Sequence, residues 1–179
     1  SVDEDFLKLM KKAGVYRVAF GVESGDERVL KKIKKDILLD DVRRAVKLTK
    51  KIGLRADCFF MIGLPGDNAE SMQRTIDFAK ELNPNTANFA IVLPFPGTEL
   101  YDDAVSEGEL FTDTKYGCDA GYNTANVNYV MPGMNKEEVL VYYKKAYKEF
   151  YLRPGQIFRM LVDVKSFEEL KWLVDTGLS

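Results

Sequence analysis

Three apolar runs in this chain each stop on a short polar turn carrying glycine or proline. Residues 15–22 (VYRVAFGV) end at Glu23-Ser24-Gly25-Asp26, residues 54–62 (LRADCFFMI) at Gly63-Leu64-Pro65-Gly66, and residues 86–93 (TANFAIVL) at Pro94-Phe95-Pro96-Gly97-Thr98. Their β-branched and aromatic content marks them as strands. Helical periodicity fills the intervals. Val29, Leu30 and Ile33 share a face after the first turn, Val42, Ala45, Val46 and Thr49 line residues 39–51, and Met72, Ile76, Ala79 and Leu82 line residues 69–82. Strands alternating with helices through short connections prescribe a parallel sheet with right-handed crossovers. The near-continuous CFFMI run suits a strand covered on both faces.

Parallel connectivity carries the C-terminal ends of all strands to one side, where barrels and open α/β sheets place their functional loops. The three turns are therefore predicted to share a rim. Three strands do not close a barrel, so the expected architecture is a small open sheet or a piece of something larger. The first turn carries the most chemistry. Glu23 and Ser24 close a strand just before a helix N-terminus, where backbone donors converge on ligands. Glu23 could equally cap that helix, and Lys31, Lys32, Lys34 and Lys35 read as a solvated helix end favoured by the macrodipole. Gly63 to Gly66 fits a tight turn, with Asp67 or Asn68 capping the next helix, and Pro94 and Pro96 a rigid strand exit. The glycine spacing of GVESG is not a dinucleotide fingerprint, and no Walker A loop occurs.

Outside this core, residues 3–13 form an amphipathic helix pattern with Asp3 as cap and Phe6, Leu9, Met10 and Ala13 on one face. Residues 111–133 are turn-rich and aromatic, a covering loop that is also a candidate for substrate contacts. Asn135 caps a helix reaching Tyr151, with Val139, Tyr142, Tyr143, Ala146 and Phe150 inward. Two short helices follow near residues 156–164 and 166–174, the second with a Ser166/Glu169 capping box. The expected division is 1–108, sheet and helices; 109–134, covering loop; 135–179, helical extension.

Composition narrows the chemistry. With no histidine, the chain cannot build Ser–His–Asp or Cys–His catalysis, or a histidine-bearing metal site. Its two cysteines, Cys58 and Cys118, are too few and too far apart for a thiolate cluster. A net charge of −2 with interleaved signs argues against nucleic acid as a partner. No apolar run is long enough to span a membrane, and no signal-peptide order opens the chain. A cytoplasmic protein is the expectation. The sequence starts without Met, directly in a helical pattern, which leads us to expect a piece of a longer polypeptide.

The ordered run GVESGDERVLKKIKK, LLDDVRRAVKLTKKIGL, CFFMIGLPGDNAESMQRTIDFAKEL and ANFAIVLPFPGTELY resembles the second half of a radical S-adenosylmethionine (SAM) enzyme core. It is most similar to the branch that carries a cobalamin-binding domain and includes the anaerobic magnesium-protoporphyrin monomethyl ester cyclase. The resemblance covers residues 3 to 105, and KEEVLVYYKKAYKEFYLRP looks like that branch's trailing helices. It implies a fragment of a partial (β/α)₆ TIM-like barrel, in which the three strands are the fourth to the sixth. It also implies SAM contacts from Glu23 at the end of the first run, from Ser24 beside it and from Lys35. Met61, Ile62 and Gly63 would wall the adenine, with Leu64 and Pro65 in the following loop. Phe59 stands where some relatives carry an acidic residue.

The family's CxxxCxxC loop, which binds a [4Fe–4S] cluster, does not occur in the chain, nor does a cobalamin-binding histidine motif. The resemblance thus implies a parent enzyme whose other half holds the cluster and, in this branch, cobalamin in an upstream domain. That half, a small-molecule substrate and a reductant protein are the expected partners, and the exposed sheet edge invites pairing with a second copy. This chain alone would be inactive. Two other readings fit the same residues: a fragment of an aldolase- or isomerase-type barrel binding phosphate, and a non-catalytic binding module.

Overall fold

The computed structural model describes residues 2–107, 109–110, 127, 129–130 and 133–163. A three-stranded parallel sheet of β1 (Arg17–Glu23), β2 (Arg55–Ile62) and β3 (Thr86–Ile91), in the order β1-β2-β3, forms its centre. The helices are α1 (Glu4–Lys12), α2 (Glu27–Lys32), α3 (Leu39–Lys51), α4 (Ala69–Leu82), α5 (Glu99–Glu107), α6 (Lys136–Tyr151) and α7 (Pro154–Asp163). A minimal antiparallel pair joins β4 (Glu109–Leu110) to β5 (Tyr129–Val130). The parallel α/β arrangement is the one the alternating pattern prescribes, with α3 and α4 at the residues read from periodicity. The covering loop falls largely outside the described residues, as do Cys118 and the predicted helix over 166–174.

Strand alternation divides the sheet into two unlike faces. Val22, Ala56, Cys58, Phe60, Ala87 and Phe89 point to the helices, where they join Leu30, Val46, Ile76, Ala79 and Phe150 in the main core. Phe60 and Phe89 stack at 5.3 Å, and Phe150 meets Phe89 edge-on at 6.3 Å. Burial of each such ring contributes roughly 1.5–3 kcal/mol. The other face carries Ala19, Asp57 and Thr86 in one register layer and Gly21, Phe59 and Asn88 in the next. Phe59 is 45% exposed there, in the middle of the central strand. The CFFMI run is therefore unevenly covered among the described residues: Phe59 lies open on this face, and Met61, further along it, is partly buried.

The two sheet edges also differ. Along β3, the hydroxyl of Tyr151 accepts from the N–H of Ala87 at 3.2 Å and donates to its carbonyl at 2.9 Å. Tyr147 does the same for Phe89, at 3.3 and 3.0 Å. Along β1, the Arg55 N–H donates to the Tyr16 carbonyl, and the alternation of a parallel ladder then turns the N–H and C=O groups of Arg17, Ala19 and Gly21 away from β2. In α1, Asp3 is the cap as predicted, but the apolar face is corrected. Leu7 is the buried residue, while Phe6 and Leu9 are 55% and 64% exposed. Heptad-like spacing identified a stripe without saying which side of it meets the sheet.

Candidate functional site

The C-terminal ends of β1, β2 and β3 form the rim that parallel connectivity requires. Glu23 closes β1 with φ of 66°, a left-handed conformation that costs a non-glycine residue on the order of 1 kcal/mol. The register to β2 slips between Gly21 and Glu23, and this bulge re-aims the side chain. Glu23 Oε1 lies 3.2 Å from Lys35 Nζ, with the two side chains 23% and 35% exposed. Both groups thus stay accessible to a ligand while already paired. Lys34, also left-handed (φ 57°), turns the other way and meets Glu99 at 2.6 Å. Adjacent lysines after α2 therefore part ways, Lys35 to the end of β1 and Lys34 to the start of α5.

Ser24 does not join this pair. It is fully buried, its Oγ lies 3.1 Å from Thr75 Oγ1, and it accepts from the N–H of Asp26 at 3.1 Å. Gly25 donates its N–H to the same Thr75 hydroxyl at 2.9 Å. Asp26, not Glu23, caps α2, accepting from the N–H groups of Arg28 and Val29. It also holds the guanidiniums of Arg28 and Arg74. Burial pushes the Asp26 carboxyl up, but hydrogen bonds from Arg28, Arg74 and the backbone prevail and hold it down to about 2. Most of the ESGD turn is thus a clasp between β1 and α4, and it leaves Glu23 free of capping.

At the end of β2 the predicted residues also separate. Ile62 points into a helix-side cluster with Met72, Val127, Val130 and Val139. Met61 is partly buried beside Val29, Leu64 and Val92. Gly63 adopts φ of 82°, where glycine is favoured, and packs its backbone near Val92 and Val139. Leu64 is buried and Pro65 partly exposed. Asp67 governs this loop. Its carboxylate accepts from the N–H groups of Gly63 (3.1 Å) and Leu64 (2.9 Å) and from the Ser71 hydroxyl (2.6 Å). Burial pushes the Asp67 carboxyl above its usual range despite these donors. Asn68 supplies the cap of α4 in a reciprocal capping box with Ser71.

Among the described residues the rim thus presents the partly exposed Glu23–Lys35 pair, with Phe59 and Asn88 on the open sheet face below. A ligand bearing an ammonium or hydroxyl donor and a carboxylate would find charge-assisted partners here. Sequence reasoning did not single out Asn88, and it read Asp67 only as a possible helix cap. The polar/apolar alternation of Thr86, Ala87, Asn88 and Phe89 was the signal for the first, and the carboxylate closing GLPGD for the second. As for metals, the thiol of Cys58 is sealed in the core and pushed up to about 12 by burial and by neighbouring Asp57. Among the described residues no cluster of cysteine, aspartate or glutamate suits a metal ion, and no helix is long and apolar enough to cross a membrane.

Residues 1–79 match the family model described as the radical SAM superfamily. Over 92% of its length the chain is 34% identical to an uncharacterized methyltransferase of Pyrococcus horikoshii, and it covers 35% of that protein. Over 96% of its length it is 28% identical to the anaerobic magnesium-protoporphyrin IX monomethyl ester cyclase of Rubrivivax gelatinosus, covering 30% of it. The chain thus spans about a third of the length of these curated relatives. Its fold is similar to that of the radical SAM methyltransferase TsrM from Kitasatospora setae, solved with cobalamin and a [4Fe–4S] cluster. The TM-score is 0.60 at 16% identity, over 89% of this chain and 35% of the other.

Proposed function

We infer that the chain belongs to the radical SAM superfamily: its first 79 residues match the family model, and its sheet and helices have the fold of a segment of a solved radical SAM methyltransferase. On that premise we propose that it supplies part of the SAM-binding wall of a radical SAM enzyme acting on a small-molecule substrate. The observation that carries this reading is the Glu23–Lys35 pair, 3.2 Å apart and partly exposed at the end of β1. Glu23 would accept from the ribose hydroxyls or the methionyl ammonium, and Lys35 would face the methionyl carboxylate. Met61, the Gly63 backbone and the Leu64-Pro65 loop would bound the adenine. Ser24 and Ile62 act from behind, by fixing the turn and the strand end.

Reductive cleavage of SAM at a [4Fe–4S] cluster supplies the radical in this superfamily, and the residues described here do not fit the cluster. Cys58 is inaccessible and Cys118 lies outside the described residues, so we place the cluster ligands elsewhere in the parent enzyme. We assign cobalamin no residue of this chain. A phosphate-binding barrel is disfavoured by two hydrogen-bond sets. The N–H groups of Gly63 and Leu64 are taken by Asp67, and those of Arg28 and Val29 by Asp26, so these backbone donors of the first two turns are already used.

The test is titration calorimetry with S-adenosylhomocysteine, an unreactive analogue, in the protein and in its Glu23→Gln and Lys35→Met variants. Each substitution is expected to weaken binding by roughly 1–3 kcal/mol, the scale of a charge-assisted hydrogen bond. Unchanged affinity in both variants would remove the pair from the site.

A further inference from the structure

Two glycines stand on either side of Glu23 in GVESG, and what surrounds them is opposite in kind. A Cβ on Gly25 would come within 2.6 Å of Phe78 Cβ, 2.7 Å of the Arg74 carbonyl oxygen and 2.8 Å of Thr75 Cα. Two of these three are backbone atoms of α4 and the third is fixed directly to it, so Gly25 is there to let the turn reach the helix. A Cβ on Gly21 would instead stand 2.9 Å from Glu23 Oε1 and 3.4 Å from Lys35 Nζ. Both are the free ends of long side chains. Gly21 is not among the residues with positive φ, so its extended backbone would accept any amino acid.

We infer that Gly21 is a positioning residue for the ligand-binding carboxylate, an inference that rests on the assignment of Glu23 to the SAM site. Position 21 faces the bare side of the sheet, beside Phe59 in the register. The bulge and the left-handed backbone at Glu23 swing its side chain back over β1, and the carboxylate comes to rest above the missing Cβ, where Lys35 meets it. Any side chain at 21 would fill that recess, part the carboxylate from Lys35 and push it into the volume the ligand needs. Because only flexible ends must move, the fold would hardly register the change while the site would.

The experiment compares Gly21→Ala, Gly25→Ala, Glu23→Gln and the Gly21→Ala/Glu23→Gln double variant of the protein. Three quantities are read: S-adenosylhomocysteine affinity, melting temperature, and the NMR shift of the Glu23 carboxyl with and without Lys35→Met. Gly25→Ala is the packing control and is expected to lower the melting temperature clearly. Gly21→Ala is expected to melt close to the wild type yet bind the probe about ten-fold more weakly. In the Glu23→Gln background the same change should add less than about two-fold, the mark of action through that carboxylate. The Glu23 carboxyl, sensitive to Lys35→Met in the wild type, should lose that response in Gly21→Ala. A carboxyl that still senses Lys35 overturns the inference. So does probe affinity that Gly21→Ala leaves untouched while Glu23→Gln lowers it, or equal losses in both backgrounds. If Glu23→Gln itself binds like the wild type, the SAM assignment fails, and the carboxyl shift alone decides the role of Gly21.

Discussion

Asp26 takes the cap of α2 and the two guanidiniums, and Glu23, three residues earlier, is left to face Lys35. The acid response of the protein follows from that division of labour. Asp26 is 4% exposed and its folded value, about 2, lies below the ordinary 3.8. A carboxyl depressed by folding stabilises fully above the unfolded value and loses that contribution as pH falls through the folded one. Between pH 3.8 and about 2 the protein should therefore shed roughly 2 kcal/mol from this residue. Asp67 works in the opposite sense, since its raised folded value means the native state takes up a proton first and gains relative stability on acidification. Denaturant melts against pH should show wild type and Asp26→Asn separated by about 2 kcal/mol at pH 6 and converging at the acid end. A constant gap would mean that the ion pairs with Arg28 and Arg74 contribute nothing. The resemblance singled out Glu23 and Lys35 together, and the structure does bring them together. What the local sequence could not convey is the fate of Ser24, because its partner Thr75 lies 51 residues further along the chain.

Among the elements, α6 and β3 fit through a match of strides. Tyr147 and Tyr151 are one helical turn apart, a rise of about 6 Å. Ala87 and Phe89 are two strand residues apart, about 6.6 Å. Each hydroxyl can therefore serve one outward-facing peptide as both acceptor and donor, and α6 runs antiparallel to the strand it covers. Burial keeps the Tyr151 hydroxyl protonated by pushing it up to about 12, so the latch holds across the physiological range. Replacing both tyrosines by phenylalanine should cost about 2–4 kcal/mol, since two partly buried N–H and two C=O groups lose their partners. Hydrogen exchange at Ala87 and Phe89 should quicken selectively, and a uniform change across the sheet would refute the latch. Asn135 and the inward stripe of α6 were legible from capping and periodicity alone. The tyrosine latch was not, because nothing local says which strand edge a distant helix will meet. The same limit explains α1, whose exposed Phe6 and Leu9 look like core residues when only spacing is available.

On the scale of the whole molecule, the described chain is a half-dressed sheet. Helices cover one face, the other carries Phe59 and a row of polar residues, and the outward peptide groups of Arg17, Ala19 and Gly21 run along β1. Light scattering on the isolated chain should accordingly show a concentration-dependent dimer, and Ala19→Pro, which removes one outward N–H, should return it to monomer. Monomer at every concentration, with slow exchange along β1, would mean that this edge is covered. The parallel α/β plan could be read in advance because alternation and short turns leave few topologies. Which face stays bare could not, since that depends on what lies beyond each strand.

The tyrosine latch has one more effect. With one border of the sheet stitched shut, strands can be added only at the other, so two copies that met along β1 would present nothing but closed borders outward. Association would stop at a pair instead of running on into a fibre.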